Sequence, residues 1–303
     1  MRKIIFIALI IFTVSAAKAQ WLWDYGVAVG VSNYLGDIGG KEKTRRDFVA
    51  DMKLAKTRWN VGGFARYKIK PKVSLKLALD YLRLEGDDKL STNPARNYRN
   101  LNFRNDIFDL AITGEYFFYQ NNDLGHTYRY KNGFRAYFFG GVGAFYNNPK
   151  ALYQGQWVRL RPLHTEGKTY SPVDLNIPLG VGFYFTFNKK HRIGYEFNWR
   201  TTFTDYIDDV SGNYPSDPSQ SGNPALSLRT PELGVDPNAN PGLYYSHNWG
   251  QKRGDKTHKD SYITMSLTYS YVIRGKSSFY RGHYGNFFGK KGHHKVRKIR
   301  SKF

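Results

Sequence analysis

Cysteine is absent from all 303 residues, so the chain is held without disulfides and has no lipid-modifiable cysteine after its N-terminal segment. Long apolar runs are absent too. Past residue 19 nothing approaches the ~20 consecutive apolar residues of a membrane-spanning helix. Acids are few, 24 against 46 Lys and Arg, for a formal charge of +22. Three of the Lys and Arg residues precede Gln20, and ten fall between Arg274 and Phe303, a stretch without a single acid. The positive charge is therefore largely local and does not describe the body of the chain.

What is abundant is aromatic and small: 24 Tyr, 21 Phe and 30 Gly. With modest hydropathy, that mixture suits β-structure better than helical packing. The first residues, "MRKIIFIALIIFTVSAAKAQ", place Arg2 and Lys3 before a short apolar core, Ile4 to Val14. Ala17-Lys18-Ala19 has the small-x-small pattern of a signal-peptidase site, so cleavage is expected between Ala19 and Gln20. Export removes nucleic acid as a partner for the basic segment. Three parts are expected: a signal peptide at 1–19, a barrel at 20–273 and a basic tail at 274–303.

Apolar residues alternate with polar ones over long spans. In "KVSLKLALDYL", Val73, Leu75, Leu77, Leu79 and Tyr81 share one face. In "VDLNIPLGVGFYFTF" the odd positions from Val173 to Phe187 are all apolar, and "RIGYEFNWRTTF" and "SYITMSLTYSYVI" repeat the pattern. With 25–36, 57–70, 103–119 and 134–146 these make eight strands of roughly ten to seventeen residues, longer than the ~5–6 usual in soluble sandwiches. The links alternate between short (70–72, 120–133, 188–191) and long (37–56, 86–102, 147–172, 205–260). The prediction is all-β: an eight-stranded antiparallel transmembrane β-barrel with short periplasmic turns, long outer loops and a basic C-terminal tail. It would sit in the cell outer membrane with both termini periplasmic.

A barrel of eight strands is just filled by its own side chains. The expected inward set includes Arg66, Lys68, Lys76, Asp80, Asp109, Glu115, Glu196 and Arg200, which should pair as structural ion pairs because unpaired buried charge is costly. Catalytic chemistry is weak. The histidines fall in turns, loops or the tail, and His191 has no serine nucleophile near it in sequence. His293 and His294 lie within a Lys/Arg run, which opposes metal binding, and "DYIDDV" (205–210) lacks the spacing of a calcium loop. The chain is read as a non-enzyme without cofactor or metal.

Six segments together resemble the PorG-like outer-membrane β-barrel proteins of the Bacteroidota type IX secretion system: "VSNYLGDIGG" (31–40), "RNLNFRND" (99–106), "FFGGVGAFYNNPKA" (138–151), "LHTEGKTY" (163–170), "NIPLGVGFYF" (176–185) and "RTTFTDYIDDVSGNY" (200–214). The resemblance implies an outer-membrane barrel associating with a periplasmic ring, built from a lipoprotein and its soluble partner, in a machine for protein secretion and gliding motility. It carries over no catalytic residues. "NYLGD" and "DYIDDV" both follow outward-running strands and are expected as rim or loop-packing residues.

The tail then reads as a docking segment on the inner side. Phe279, Tyr280, Tyr284, Phe287 and Phe288 offer anchors, while Lys290, Lys291, Lys295, Arg297, Lys298, Arg300 and Lys302 supply electrostatic steering. The competing reading is a passive barrel tying outer-membrane lipid to cell-wall polymer.

Overall fold

The computed structural model describes residues 23–39, 52, 54–125 and 131–273. The expected signal segment with Ala19 and Gln20, and the whole tail with its anchors and bases from Phe279 to Lys302, lie outside the described residues.

Period-two patterning becomes strands at each place it occurs. They are β1 (Trp23–Leu35), β2 (Arg58–Lys70), β3 (Val73–Asp87), β4 (Asn102–Asn121) and β5 (Gly133–Tyr146). A small hairpin, β6 (Lys150–Tyr153) and β7 (Gln156–Arg159), follows. The wall resumes with β8 (Val173–Phe187), β9 (His191–Thr202) and β10 (Ser261–Ile273). The eight long strands pair antiparallel in chain order, and β10 lies beside β1, so the sheet closes on itself. Closure leaves the wall without a free edge.

The β6–β7 hairpin adds two short strands inside the long link expected at 147–172. It continues the sheet past β4 through the Arg104–Lys150 pair. It covers the part of β4 that projects beyond β5, which joins β4 only from Phe108 onward. β4 itself runs for 20 residues, longer than its pattern of 103–119.

Two-residue to eleven-residue turns (71–72, 122–132, 188–190) gather at one end, and the long connections (36–57, 88–101, 147–172, 203–260) at the other. These are called the short-turn end and the long-loop end. Among the described residues no helix is long and apolar enough to cross a membrane.

The outer face is an apolar belt: Val27, Val29, Val61, Leu75, Leu77, Leu79, Leu110, Ile112, Val142, Leu179 and Val181 are all exposed. Aromatic rings border it. Trp23, Tyr25 and Tyr67 cluster near the short-turn end, and Trp59, Tyr81 and Phe108 near the other. Tyr67 and Trp59 are eight residues apart on β2, ~20 Å along a tilted barrel axis at ~3.3 Å per residue, comparable to the ~25 Å apolar band of such barrels. This is the interfacial girdle arrangement of a lipid-embedded wall.

Neighbouring residues on β8 test the facing. Val181 is exposed and central, so Val181→Arg is expected to cost ~2–4 kcal/mol in refolding into lipid vesicles, while Val181→Leu is neutral. Gly182 points inward, where a Cβ would lie 2.6 Å from Tyr137 Cζ and 3.0 Å from Glu196 Cγ. Gly182→Leu should therefore block folding by overpacking. Urea titration with gel-shift on heating reads both, and an Arg at 181 that leaves the midpoint unmoved would contradict the assigned face.

Candidate functional site

Inward positions fill the barrel in layers. Nearest the short-turn end lies an aromatic layer of Phe117, Tyr137, Phe139 and Tyr184 around a buried ion network. Arg66, on β2, is its centre: Nε is 2.7 Å from Glu115 Oε2, Nη1 3.1 Å from Asp24 Oδ2 and Nη2 3.4 Å from Glu196 Oε1. Lys76 Nζ takes the other oxygen of Glu196 at 2.5 Å, and the Tyr137 hydroxyl donates to the first at 2.6 Å. Arg192 and Ser270 complete the shell of Asp24 at 2.6 and 3.0 Å.

A second network sits toward the long-loop end. Arg200 Nη2 is 2.5 Å from Asp80 Oδ2 and its Nε 2.7 Å from Asp109 Oδ2, while Asn176 and Tyr262 donate to Asp109. A cavity of about 20 Å³ separates the two networks, room for a water molecule. All seven ion-pair residues named from sequence, Arg66, Lys76, Asp80, Asp109, Glu115, Glu196 and Arg200, are thus gathered inside. Asp24 and Arg192 join them. Asp24 was missed because it precedes the apolar pattern at 25–36. Lys68 points inward as well, but makes no ion pair with a described residue.

Beyond Arg200 the lumen is closed by an apolar plug that includes Tyr34, Leu82, Leu84, Leu101, Phe103, Ile107, Phe145, Ile207, Val210 and Tyr262. Over it lies a polar cap built from loops distant in sequence. Arg99 reaches both oxygens of Asp88 at 2.8 Å and donates to the carbonyls of Asp37 and Arg253 at 2.8 and 2.7 Å. Arg253 pairs with Glu166 at 3.2 Å and Asp209 at 3.5 Å. Glu166 also accepts from the backbone N–H groups of Ser211 and Gly212. Asp209 accepts from the hydroxyls of Tyr170, at 2.6 Å, and Thr165.

"NYLGDI" and "DYIDDV" meet here. The Tyr34 hydroxyl donates to Asp260 Oδ1 at 2.6 Å, Asp260 Oδ2 accepts from Ile207 N at 3.0 Å, and Asp208 accepts from Ile38 N and Val210 N. In the second motif Asp208 is spent on backbone donors and Asp209 on Arg253, Thr165 and Tyr170, while Asp205 Oδ2 is buried without a hydrogen-bond partner. Asp88, Arg99, Arg253 and Asp260 belong equally to the cap, yet no motif marks them: Arg99 lies 154 residues from Arg253, and Asp260 226 from Tyr34. Among the described residues no group of three or more His, Cys, Asp or Glu is arranged to hold a metal ion. A cleft of about 600 Å³ opens beside the cap, lined by residues such as Asp37, Arg96, His247, Asp255 and Lys259.

Acid clustering shifts the cap's titration. Burial and then the nearby Asp37 carboxylate push Asp208 well above the usual carboxylate range, and burial with Asp208 and Asp205 does the same for Asp260. Asp205 is pushed up to about 7 by burial, with Asp37 and Glu166 adding repulsion against help from Ser211 and Lys259. A folded value above the unfolded one means the native cap holds the proton more tightly. Its contribution is full below about pH 4 and is lost as pH rises through about 7. The loop 203–260 should accordingly be cut faster by a broad-specificity protease at pH 8 than at pH 5.5, after correction for protease activity. Asp205→Asn should flatten that difference.

A closed, filled, eight-stranded barrel with an apolar belt between aromatic girdles defines a transmembrane β-barrel of the outer-membrane type, without an open channel through its lumen. The chain belongs to the family described as "Domain of unknown function (DUF6089)", whose model matches residues 2–223. No curated protein matches it. Among solved structures it is similar to the N-terminal β-barrel domain of Pseudomonas aeruginosa OprF, at 10% identity and TM-score 0.33 over 84% of this chain and 100% of that one. It is also similar to the attachment invasion locus protein Ail of Yersinia pestis, at 8% and 0.34 over 83% and 99%. Neisserial surface protein A matches at 8% and 0.34 over 83% and 97%. Likenesses this faint say nothing of activity, and the barrel rests on its own strand pairing.

Proposed function

We propose that this protein is a non-enzymatic outer-membrane component of a type IX protein secretion system. In this reading the long loops face outward, both termini are periplasmic, and the short-turn end with the basic tail docks on the periplasmic ring lipoprotein and its soluble partner. The resemblance of the six segments to PorG-like proteins supplies the machine. The observation that carries the docking role is the difference between the two ends of the barrel. The long-loop end is closed by the plug and cap, whereas the short-turn end collects Lys68, Lys70, Lys72, Lys131, Arg135, Lys189, Lys190 and Arg192.

The test is a mild-detergent pull-down with mass spectrometry, using the full chain and a chain cut after Gly275. β10 ends at Ile273, so the cut spares the whole ladder and the shortened protein should still fold and reach the outer membrane. It should lose the ring proteins, because the five aromatic anchors and nine of the ten bases leave together. Reversing five terminal bases to Glu should weaken the partner more at low salt than at high. Recovery of cell-wall polymer without ring proteins would favour the passive tether instead.

A further inference from the structure

The lumen's charges are not distributed evenly. Between the Arg66 and Arg200 networks every cation faces a carboxylate, but at the short-turn mouth three inward cations share almost none. Lys68 on β2, Arg135 on β5 and Arg192 on β9 point into the same opening. Both guanidinium groups lie close enough to repel the Lys68 ammonium. Arg192 has Asp24, which it divides with Arg66. Neither Lys68 nor Arg135 forms an ion pair with any described residue.

Two further observations show that this opening is built. Arg135 is held over the Phe117 ring at 5.5 Å and Arg192 over Tyr184 at 4.7 Å, which fixes both guanidinium groups. Arg135 Nη1 and Arg192 Nε are nevertheless buried without a hydrogen-bond partner. Buried donors left unpaired are costly, and a wall of low dielectric focuses the field of the three charges into the opening.

The sequence at the short-turn end offers little negative charge to neutralise them. The sequence 126–130 is "HTYRY", and 274–303 holds ten bases and no acid. Asp123 is the one acid in the three turns, against Lys70, Lys72, Lys131, Lys189 and Lys190. Bilayer headgroups meet the outside of the wall, whereas Lys68, Arg135 and Arg192 are on its inside. An anion that reaches them arrives end-on, from the water beyond the short turns.

We propose that the short-turn mouth of the barrel is a receptor for an acidic segment of a partner protein, whose carboxylate side chains enter between Lys68, Arg135 and Arg192. This rests on the reading that the short-turn end is the docking face, and adds to it the chemistry of the partner and the place it inserts. The rim lysines bring an acidic surface close, and the mouth then takes one or two carboxylates into a site where water competes poorly.

The test uses the full chain in a nonionic detergent with a fluorescent hexaglutamate peptide as probe, read by anisotropy. Three proteins are compared: the native sequence, K68Q/R135Q, and a variant with Lys295, Arg297, Lys298, Arg300 and Lys302 changed to Gln. Neither mouth substitution removes a carboxylate's partner, so folding is retained and is checked by gel-shift on heating. K68Q/R135Q should bind roughly ten-fold more weakly at about 50 mM salt, with the gap narrowing at about 0.5 M. A benzophenone-bearing peptide should mark residues lining the mouth, such as Thr186, in the native protein and lose that mark in K68Q/R135Q. Equal affinity of the native protein and K68Q/R135Q, with loss only in the tail variant, would overturn the mouth while leaving docking by the tail in place. Inorganic phosphate displacing the peptide at equal charge concentration would make it a small-anion site and also overturn the proposal. Loss of ring proteins in the pull-down is scored separately, so the two ideas fail separately.

Discussion

Arg66→Met should destabilise the barrel by ~3–5 kcal/mol, lowering the urea midpoint of refolding into vesicles and the temperature at which the folded band is lost. Arg66 is 3% exposed and faces Asp24, Glu115 and Glu196 together. Its removal is unequal in effect. Asp24 keeps Arg192 and Glu196 keeps Lys76, but Glu115 is left with no cation in contact, at 1% exposure. An uncompensated buried carboxylate is the expensive product, not the lost attraction itself. Glu115→Gln placed in the Arg66→Met background should therefore recover part of the loss. A double variant no more stable than the single one would mean that Glu115 is not where the cost lies. Arg66→Lys should fall between, because one ammonium cannot span three carboxylates held on different strands.

Arg99→Met should have a comparable effect, ~3–5 kcal/mol, in a different place. Asp88 is fully buried and would lose its bidentate partner, and the carbonyls of Asp37 and Arg253 would lose their donor. These groups belong to the cap and not to the wall. The expected result is local opening: amide exchange at 205–215 and proteolysis of the 203–260 loop speed up, while the wall's unfolding midpoint stays nearly in place. Arg99→Lys should not rescue, since four acceptors spread around a planar fork need a guanidinium. A uniform fall in the stability of cap and wall would show that the two unfold as one unit.

Both predictions bear on which parts could be read before the fold was known. The wall was legible because a strand's side chains alternate with period two and a membrane demands an apolar outer face, so Val73 to Leu79 and Val173 to Phe187 carry their facing in their phase. The same phase turned Arg66, Lys76, Asp80, Asp109, Glu115, Glu196 and Arg200 inward. The alternation of short and long links placed "NYLGDI" and "DYIDDV" at one end.

Which inward charge meets which was not legible. Pairing across the lumen depends on barrel size and stagger, which set the height of Arg66 on β2 against Glu196 on β9. Asp24 and Arg192 show the same limit: one lies before its strand's pattern, and the other carries the inward phase of β9 with nothing to name Asp24 as its partner. The cap was least readable, because Asp37, Asp88, Arg99, Glu166, Asp209, Arg253 and Asp260 come from loops that have no period. Likewise the β6–β7 hairpin is two four-residue strands, too short for alternation to declare itself. By itself the sequence determined the eight wall strands, their faces and the distribution of charge along the chain, since each follows from local spacing and from the solvent on either side. Only the tertiary structure decided the ion-pair partners, the plug and cap, and the cationic mouth, because those depend on distances between residues that spacing along the chain does not encode.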